Sequence, residues 1–234
     1  MANLQIKGST SLIEGQDVLL SEEISIFLLD VSSSMSDRIE DDGSFELAWD
    51  DRCSKFGAMK RAAMNFIEQR VSAIRNGSTD HVGIITFGDD VKLLHDPSSN
   101  NFDSLLNKLK SMRACGSTPM AEAINLAIQT AERFTTGMIR VIICSDGQPD
   151  YKPGVINNVV RGFEEYGIIF DTIGIGNPND RWGLDEDFLK EVANAGGGEY
   201  TFISSFQEFT KKFLLIEGER QLLLGKGILM LPGK

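Results

Sequence analysis

Short runs that are apolar at nearly every position alternate along this chain with longer stretches that are apolar only every third or fourth residue. The first kind suits a strand buried on both faces, and the second a helix with one buried stripe. Their alternation points to a mainly parallel sheet between layers of helices. Ile24-Ser25-Ile26-Phe27-Leu28-Leu29 is the first such strand, and a helix is expected over about 55–75, with Phe56, Met59, Ala63, Phe66, Ile67, Val71 and Ile74 on its inner stripe. The runs 82–87 and 91–95 are joined only by Gly88-Asp89-Asp90. So short a link serves antiparallel neighbours alone, which predicts a hairpin at a sheet edge.

The pattern continues with a short helix carrying Phe102, Leu105, Leu106 and Leu109, then the loop Ala114-Cys115-Gly116-Ser117-Thr118. Pro119 fits the first turn of the next helix, where its missing N–H costs nothing; that helix turns Met120, Ala123, Ile124, Ala127, Ile128 and Ala131 inward. A strand over 139–144 runs into Ser145-Asp146-Gly147. Helix 155–166, strand 168–173, helix 185–194, a turn at Gly196-Gly197-Gly198, strand 200–203 and helix 206–215 follow. With 234 residues, 41% of them hydrophobic, the chain suits one sizeable domain. The stretch 221–234 is apolar and glycine-rich without helical period. Packing back, pairing with another strand and continuing into a longer protein all suit it.

The net charge of −11 disfavours nucleic acid and anionic membrane surfaces as partners. No run of eighteen apolar residues offers a membrane span, and the first residues, Met1-Ala2-Asn3-Leu4-Gln5-Ile6-Lys7, lack the pattern of a signal peptide. A cytoplasmic location is therefore expected. Cys53, Cys115 and Cys144 have no metal-site spacing, and Cys144 lies in an apolar run that predicts a buried thiol.

In an open α/β sheet, ligands bind at the carboxyl ends of the strands. Two polar clusters follow strands there, Asp30-Val31-Ser32-Ser33-Ser34-Met35-Ser36 and Ser145-Asp146-Gly147, and a third is the loop Gly116-Ser117-Thr118-Pro119. Together they offer hydroxyls and carboxylates, the oxygen donors preferred by Mg²⁺, Ca²⁺ and Mn²⁺. Residues two apart in a tight loop can turn toward one point, so Asp30, Ser32 and Ser34 make one wall of a cage, with Thr118 and Asp146 as the others. Taken singly, the aspartates could cap loops, the serines could bond local backbone, and Thr118 could cap a helix.

Asp-x-Ser-x-Ser at Asp30, Ser32 and Ser34, Gly-x-Thr-Pro around Thr118 and an apolar strand ending in Ser-Asp-Gly at Asp146 resemble the metal-ion-dependent adhesion site of von Willebrand factor type A domains. The resemblance covers roughly 21–217, leaving 1–20 as an N-terminal arm and 218–234 as a tail. It implies a three-layer, Rossmann-like, doubly wound sheet of six mostly parallel strands in the order 3-2-1-4-5-6, with one antiparallel edge strand. It further implies one divalent cation, Mg²⁺ with Mn²⁺ or Ca²⁺ possible, held by Asp30, Ser32, Ser34, Thr118 and Asp146. Such a cation accepts a Glu or Asp from a partner protein, so the chain is expected to be a binding module rather than an enzyme. Free-standing intracellular prokaryotic domains of this kind suggest, by analogy alone, an adaptor or assembly role.

The alternatives are a phosphotransferase of haloacid dehalogenase type, with Asp30 as nucleophile, and an extracellular adhesion domain. The former looks for a second aspartate where Ser32 stands; the latter needs a secretion signal. No Gly-x-Ser-x-Gly elbow, P-loop or dinucleotide fingerprint occurs, and neither His81 nor His95 lies in a triad setting. One departure from the family pattern is an acidic insertion over 37–54, where Asp37, Glu40, Asp41, Asp42, Glu46, Asp50 and Asp51 surround Phe45, Leu47 and Trp49. Such an insertion could plug the cation, dock a basic-rimmed partner or simply be solvated, and its aromatic residues favour docking.

Overall fold

A computed structural model describes residues 23–37, 54–75, 81–176 and 184–203, with side chains left out for 69–75. Six strands form one sheet: β1 (Glu23–Asp30), β2 (His81–Phe87), β3 (Val91–His95), β4 (Met138–Ser145), β5 (Ile169–Ile175) and β6 (Gly197–Ile203). Their order is β3-β2-β1-β4-β5-β6, and every pairing is parallel except β2 with β3. The expected order and antiparallel edge are therefore present.

Among the described residues, five helices flank the sheet: α1 (Lys55–Arg75), α2 (Phe102–Ser111), α3 (Met120–Ala131), α4 (Lys152–Tyr166) and α5 (Glu186–Ala195). Alternation along β1 divides the core in two. Phe27 and Leu29 pack with Phe56, Met59 and Ile67 of α1 and Phe102, Leu105 and Leu109 of α2. Ile24, Ile26 and Leu28 pack on the opposite face with α3, Val155 and Val159 of α4 and Phe188 and Val192 of α5. Both faces of β1 are thus covered, which is why its whole run is buried and reads as continuously apolar.

Local chemistry sets the helix ends. The Asn101 side chain accepts from Ser104 N–H at the start of α2, and Asp185 accepts from Phe188 N–H at the start of α5. Gly167 ends α4 in the left-handed conformation. Pro119 stands one position before α3 rather than inside its first turn. After β1 the loop tightens into a 3₁₀ turn at Ser33–Ser36, a feature without a sequence signal.

At β6 the observed boundary differs from expectation. Gly197 and Gly198, read as a turn, belong to the strand. A Cβ on Gly198 would lie 2.2 Å from the Phe170 carbonyl oxygen, so Gly198 lets β5 approach closely, while Gly197, at φ +65°, makes the left-handed step from α5 into the strand. Cys144 is a buried free thiol and Cys115 an exposed one. The N-terminal arm, most of the acidic insertion, the helix expected over 206–215 and the tail lie outside the described residues.

Leu28 is fully buried at the centre of the sheet. Leu28→Ala should lower stability by about 2–5 kcal/mol, read as a lower urea midpoint at unchanged m-value. A loss below about 1 kcal/mol would contradict the packing described.

Candidate metal centre

Parallel pairing places the carboxyl ends of β1 and β4 side by side, with Leu29 opposite Cys144. The next residues out are Asp30, which ends β1, and Asp146, which follows β4; both are fully buried. Asp30 Oδ1 accepts from Ser32 N–H at 2.9 Å, and Asp30 Oδ2 accepts from Ser145 Oγ at 2.5 Å. Ser145 Oγ in turn accepts from Gly147 N–H at 3.0 Å. Burial pushes the Asp30 carboxyl up to about 7, the nearby Asp146 adds to the rise, and the bonds from Ser145 and Ser32 oppose it. Two carboxylates crowded out of water favour a positive charge between or beside them.

Part of that charge is the chain's own. Lys55 opens α1 almost wholly buried, with Nζ 3.2 Å from Asp146 Oδ2 and 3.8 Å from Asp37 Oδ2. Asp146 Oδ1, by contrast, is buried with no hydrogen-bond partner among the described residues. An orphaned carboxylate oxygen is costly in a protein interior, and coordination of a cation would satisfy it.

The hydroxyls lie on loops tied to this pair. Ser32 Oγ and Ser34 Oγ are 3.1 Å apart, Ser32 buried and Ser34 half-buried. Ser33 points elsewhere: its N–H donates to the Gly116 carbonyl, and its Oγ accepts from Gly116 N–H, each at 3.0 Å. Cys115 N–H donates to the Val31 carbonyl at 2.6 Å. These bonds fasten the loop carrying Thr118 against the loop carrying Ser32 and Ser34.

Thr118, itself buried, is fixed from the β4 side as well. Its N–H donates to Asp150 Oδ1 and its carbonyl accepts from Asp150 N–H, both at 3.1 Å. The structure therefore brings Asp30, Ser32, Ser34 and Asp146 into one cluster, and it joins Thr118's loop to the other two by backbone bonds. Among the described residues no three His, Cys, Asp or Glu side chains converge on a metal-holding geometry. The donor set is instead two carboxylates with serine and threonine hydroxyls, which suits a hard cation with few charged ligands.

Two glycines carry the turns. Gly116 has φ +91°, and a Cβ there would lie 2.2 Å from Asp89 N; Gly147 has φ +80° immediately after Asp146. Both conformations favour glycine. Sequence reasoning missed Lys55 and Asp150. Asp150 had a usable signal, a carboxylate four residues past Asp146 in a turn, whereas Lys55 read only as the first residue of a helix.

A doubly wound α/β domain with hydroxyls and carboxylates gathered at the carboxyl edge of its central strands is the class defined so far. The model of the von Willebrand factor type A domain matches residues 25–148, over half of the chain, and the chain belongs to that family. Among curated relatives, an uncharacterised protein of Escherichia coli (strain K12), YfbK, is 28% identical over 153 residues, covering 62% of this chain and 25% of that protein. A UPF0353 protein of Mycobacterium avium is 24% identical over 216 residues, covering 82% of this chain and 59% of that one. The chain thus spans between a quarter and three fifths of these relatives.

Solved structures share the fold. An aerotolerance-related membrane protein of Bacteroides fragilis superposes with TM-score 0.64 at 20% identity, over 86% of this chain and 98% of that one. The manganese-loaded TRAP protein of Plasmodium vivax superposes with TM-score 0.56 at 15% identity, over 82% and 71%. Domains of this family commonly mediate metal-dependent protein interactions. No described helix here is long and apolar enough to cross a membrane.

Gly116→Ala should cost about 1–3 kcal/mol, because alanine at this φ is strained and its Cβ meets the Asp89 backbone. Urea denaturation checks this; an unchanged midpoint would mean that the loop relaxes without cost.

Proposed function

We propose that Asp30, Ser32, Ser34, Thr118 and Asp146 hold one divalent cation, Mg²⁺ with Mn²⁺ or Ca²⁺ as substitutes, and that the domain thereby binds a partner protein. The observation that carries this reading is Asp146 Oδ1, a fully buried carboxylate oxygen without a hydrogen-bond partner among the described residues, beside a second buried carboxylate. When bound, the ion supplies an open coordination position to a Glu or Asp of the partner. The chain's own residues confine the negative charge to two aspartates, orient the hydroxyls through the interlocked loops and exclude water from the carboxylates.

The surroundings indicate the partner's chemistry. Asp37, beside Lys55, is 65% exposed. Asp89, packed against Gly116, and Asp150, bonded to Thr118, are exposed too. A partner whose metal-binding carboxylate is flanked by Lys or Arg suits this acidic rim better than one with a bare acidic surface. Tyr151, 62% exposed next to Asp150, adds an aromatic contact of the kind enriched at interfaces.

We read the domain as an adaptor or assembly factor, not an enzyme. Asp30 stands where a haloacid dehalogenase-type phosphotransferase would carry its nucleophile, but it is fully buried and engaged by Ser145 and Ser32. A cytoplasmic setting is the location we propose. Cell fractionation tests it against the membrane fraction, which the Bacteroides fragilis likeness makes the alternative to examine.

Mg²⁺ or Mn²⁺ should raise the thermal midpoint of the parent, since a ligand favouring the folded state stabilises it. Asp30→Ala and Ser32→Ala should fold yet lose that rise; variants that respond like the parent would refute the assignment. A pull-down from lysate in Mg²⁺ should retain a protein that EDTA releases, and retention indifferent to EDTA would remove the metal from the binding step. Phosphate monoesters, nucleotides and carboxylic esters should show no turnover above background. Hydrolysis that survives repurification and disappears in Asp30→Asn would overturn the non-catalytic reading.

A further inference from the structure

Lys55 is 2% exposed at the first position of a helix, where a lysine head ordinarily reaches water. Its ammonium sits 3.2 Å from Asp146 Oδ2 and leaves Oδ1 of the same carboxylate without a hydrogen-bond partner among the described residues. One oxygen is on an internal cation, and the other is open to a second cation. We propose that Lys55 is a built-in competitor of the divalent ion, a fixed positive charge that shares the Asp146 carboxylate and sets how tightly the site holds its metal. This rests on the cation site proposed above and adds to it a determinant of affinity on α1.

The backbone keeps that charge in place. Lys55 N–H donates to the Asp37 carbonyl at 3.0 Å, so the two ends of the acidic insertion meet beside Asp146 and the lysine side chain starts from a fixed point there. Asp37 Oδ2, at 3.8 Å, gives the ammonium a second carboxylate when the divalent ion draws on Asp146. On this proposal Lys55, paired with both Asp146 and Asp37, stays within the cluster when the metal binds. In the absence of metal it offsets the crowding of Asp30 and Asp146. In its presence it is a like charge a few ångströms from the ion, and it weakens binding. If Lys55 were only a scaffold for Asp146, its loss would misplace that carboxylate and weaken the metal instead, so the two roles predict opposite signs.

The test is a Mn²⁺ titration of the full chain, following free Mn²⁺ by electron paramagnetic resonance, with thermal midpoints recorded in EDTA and in Mn²⁺. Lys55→Met should bind Mn²⁺ at least about tenfold tighter than the parent, the scale on which one neighbouring charge shifts a buried carboxylate. Its midpoint in EDTA should fall, and the rise on adding Mn²⁺ should exceed the parent's. If the methionine variant fails to fold, Lys55→Gln, which keeps a polar head beside Asp146, carries the same expectation. A folded neutral variant with parental or weaker Mn²⁺ affinity overturns the role of Lys55 and leaves the metal site standing. A parent that does not bind Mn²⁺ overturns both.

Discussion

Asp30 and Asp146 meet because β1 and β4 run parallel and in register, so the residues at their carboxyl ends arrive side by side under the same loops. Neither reaches water. Two carboxylates in that position repel one another and lose hydration, a combination that interiors tolerate only with hydrogen bonds or a positive partner. The chain supplies Ser32 N–H and Ser145 Oγ to Asp30, and Lys55 to Asp146, yet still leaves one Asp146 oxygen without a described partner. The rest of the carboxyl edge is organised around this incomplete neutralisation.

Interlocked loops keep the arrangement from relaxing. Val31 bonds to Phe87 and to Cys115, Ser33 bonds to Gly116, Thr118 bonds to Asp150, and Asp185 N–H donates to the Asp146 carbonyl. Among the described residues, the loops after β1 and β4 and the loop before α3 are thus fastened to one another or to neighbouring elements. Gly88 belongs to the same crossing, since a Cβ there would lie 2.7 Å from the Cys115 carbonyl. Such cross-bracing holds hydroxyl and carboxylate oxygens in place.

The solved structures described above share the fold at 20% and 15% identity. A fold of this kind presents its strand ends to whatever the loops carry, so relatives can keep the sheet and differ in partner. In this chain the loop after β1 carries the acidic insertion, whose ends close on Asp37 and Lys55 beside Asp146. Partner choice and metal affinity would then be set at one place.

Periodicity alone carried most of the architecture. The nearly unbroken apolar run at β1, the helical stripe beginning at Phe56 and the three-residue link after Phe87 respectively required a doubly covered strand, an amphipathic helix and an antiparallel edge, because backbone hydrogen bonding and burial allow little else. The candidate site was legible as motifs for a related reason: Asp30 ends a strand, Asp146 follows one, and Ser32, Ser34 and Thr118 stand in or next to short loops, where the pattern is local. What only the tertiary structure decided is longer-range. That Gly197 and Gly198 pair with β5, that Asp150 grips Thr118, and that the Lys55 head is buried against Asp146, ninety-one residues away, depend on how separate segments pack. A lysine opening a helix looks solvated in any sequence window, and its burial is set by neighbours that the chain supplies only once the sheet has formed.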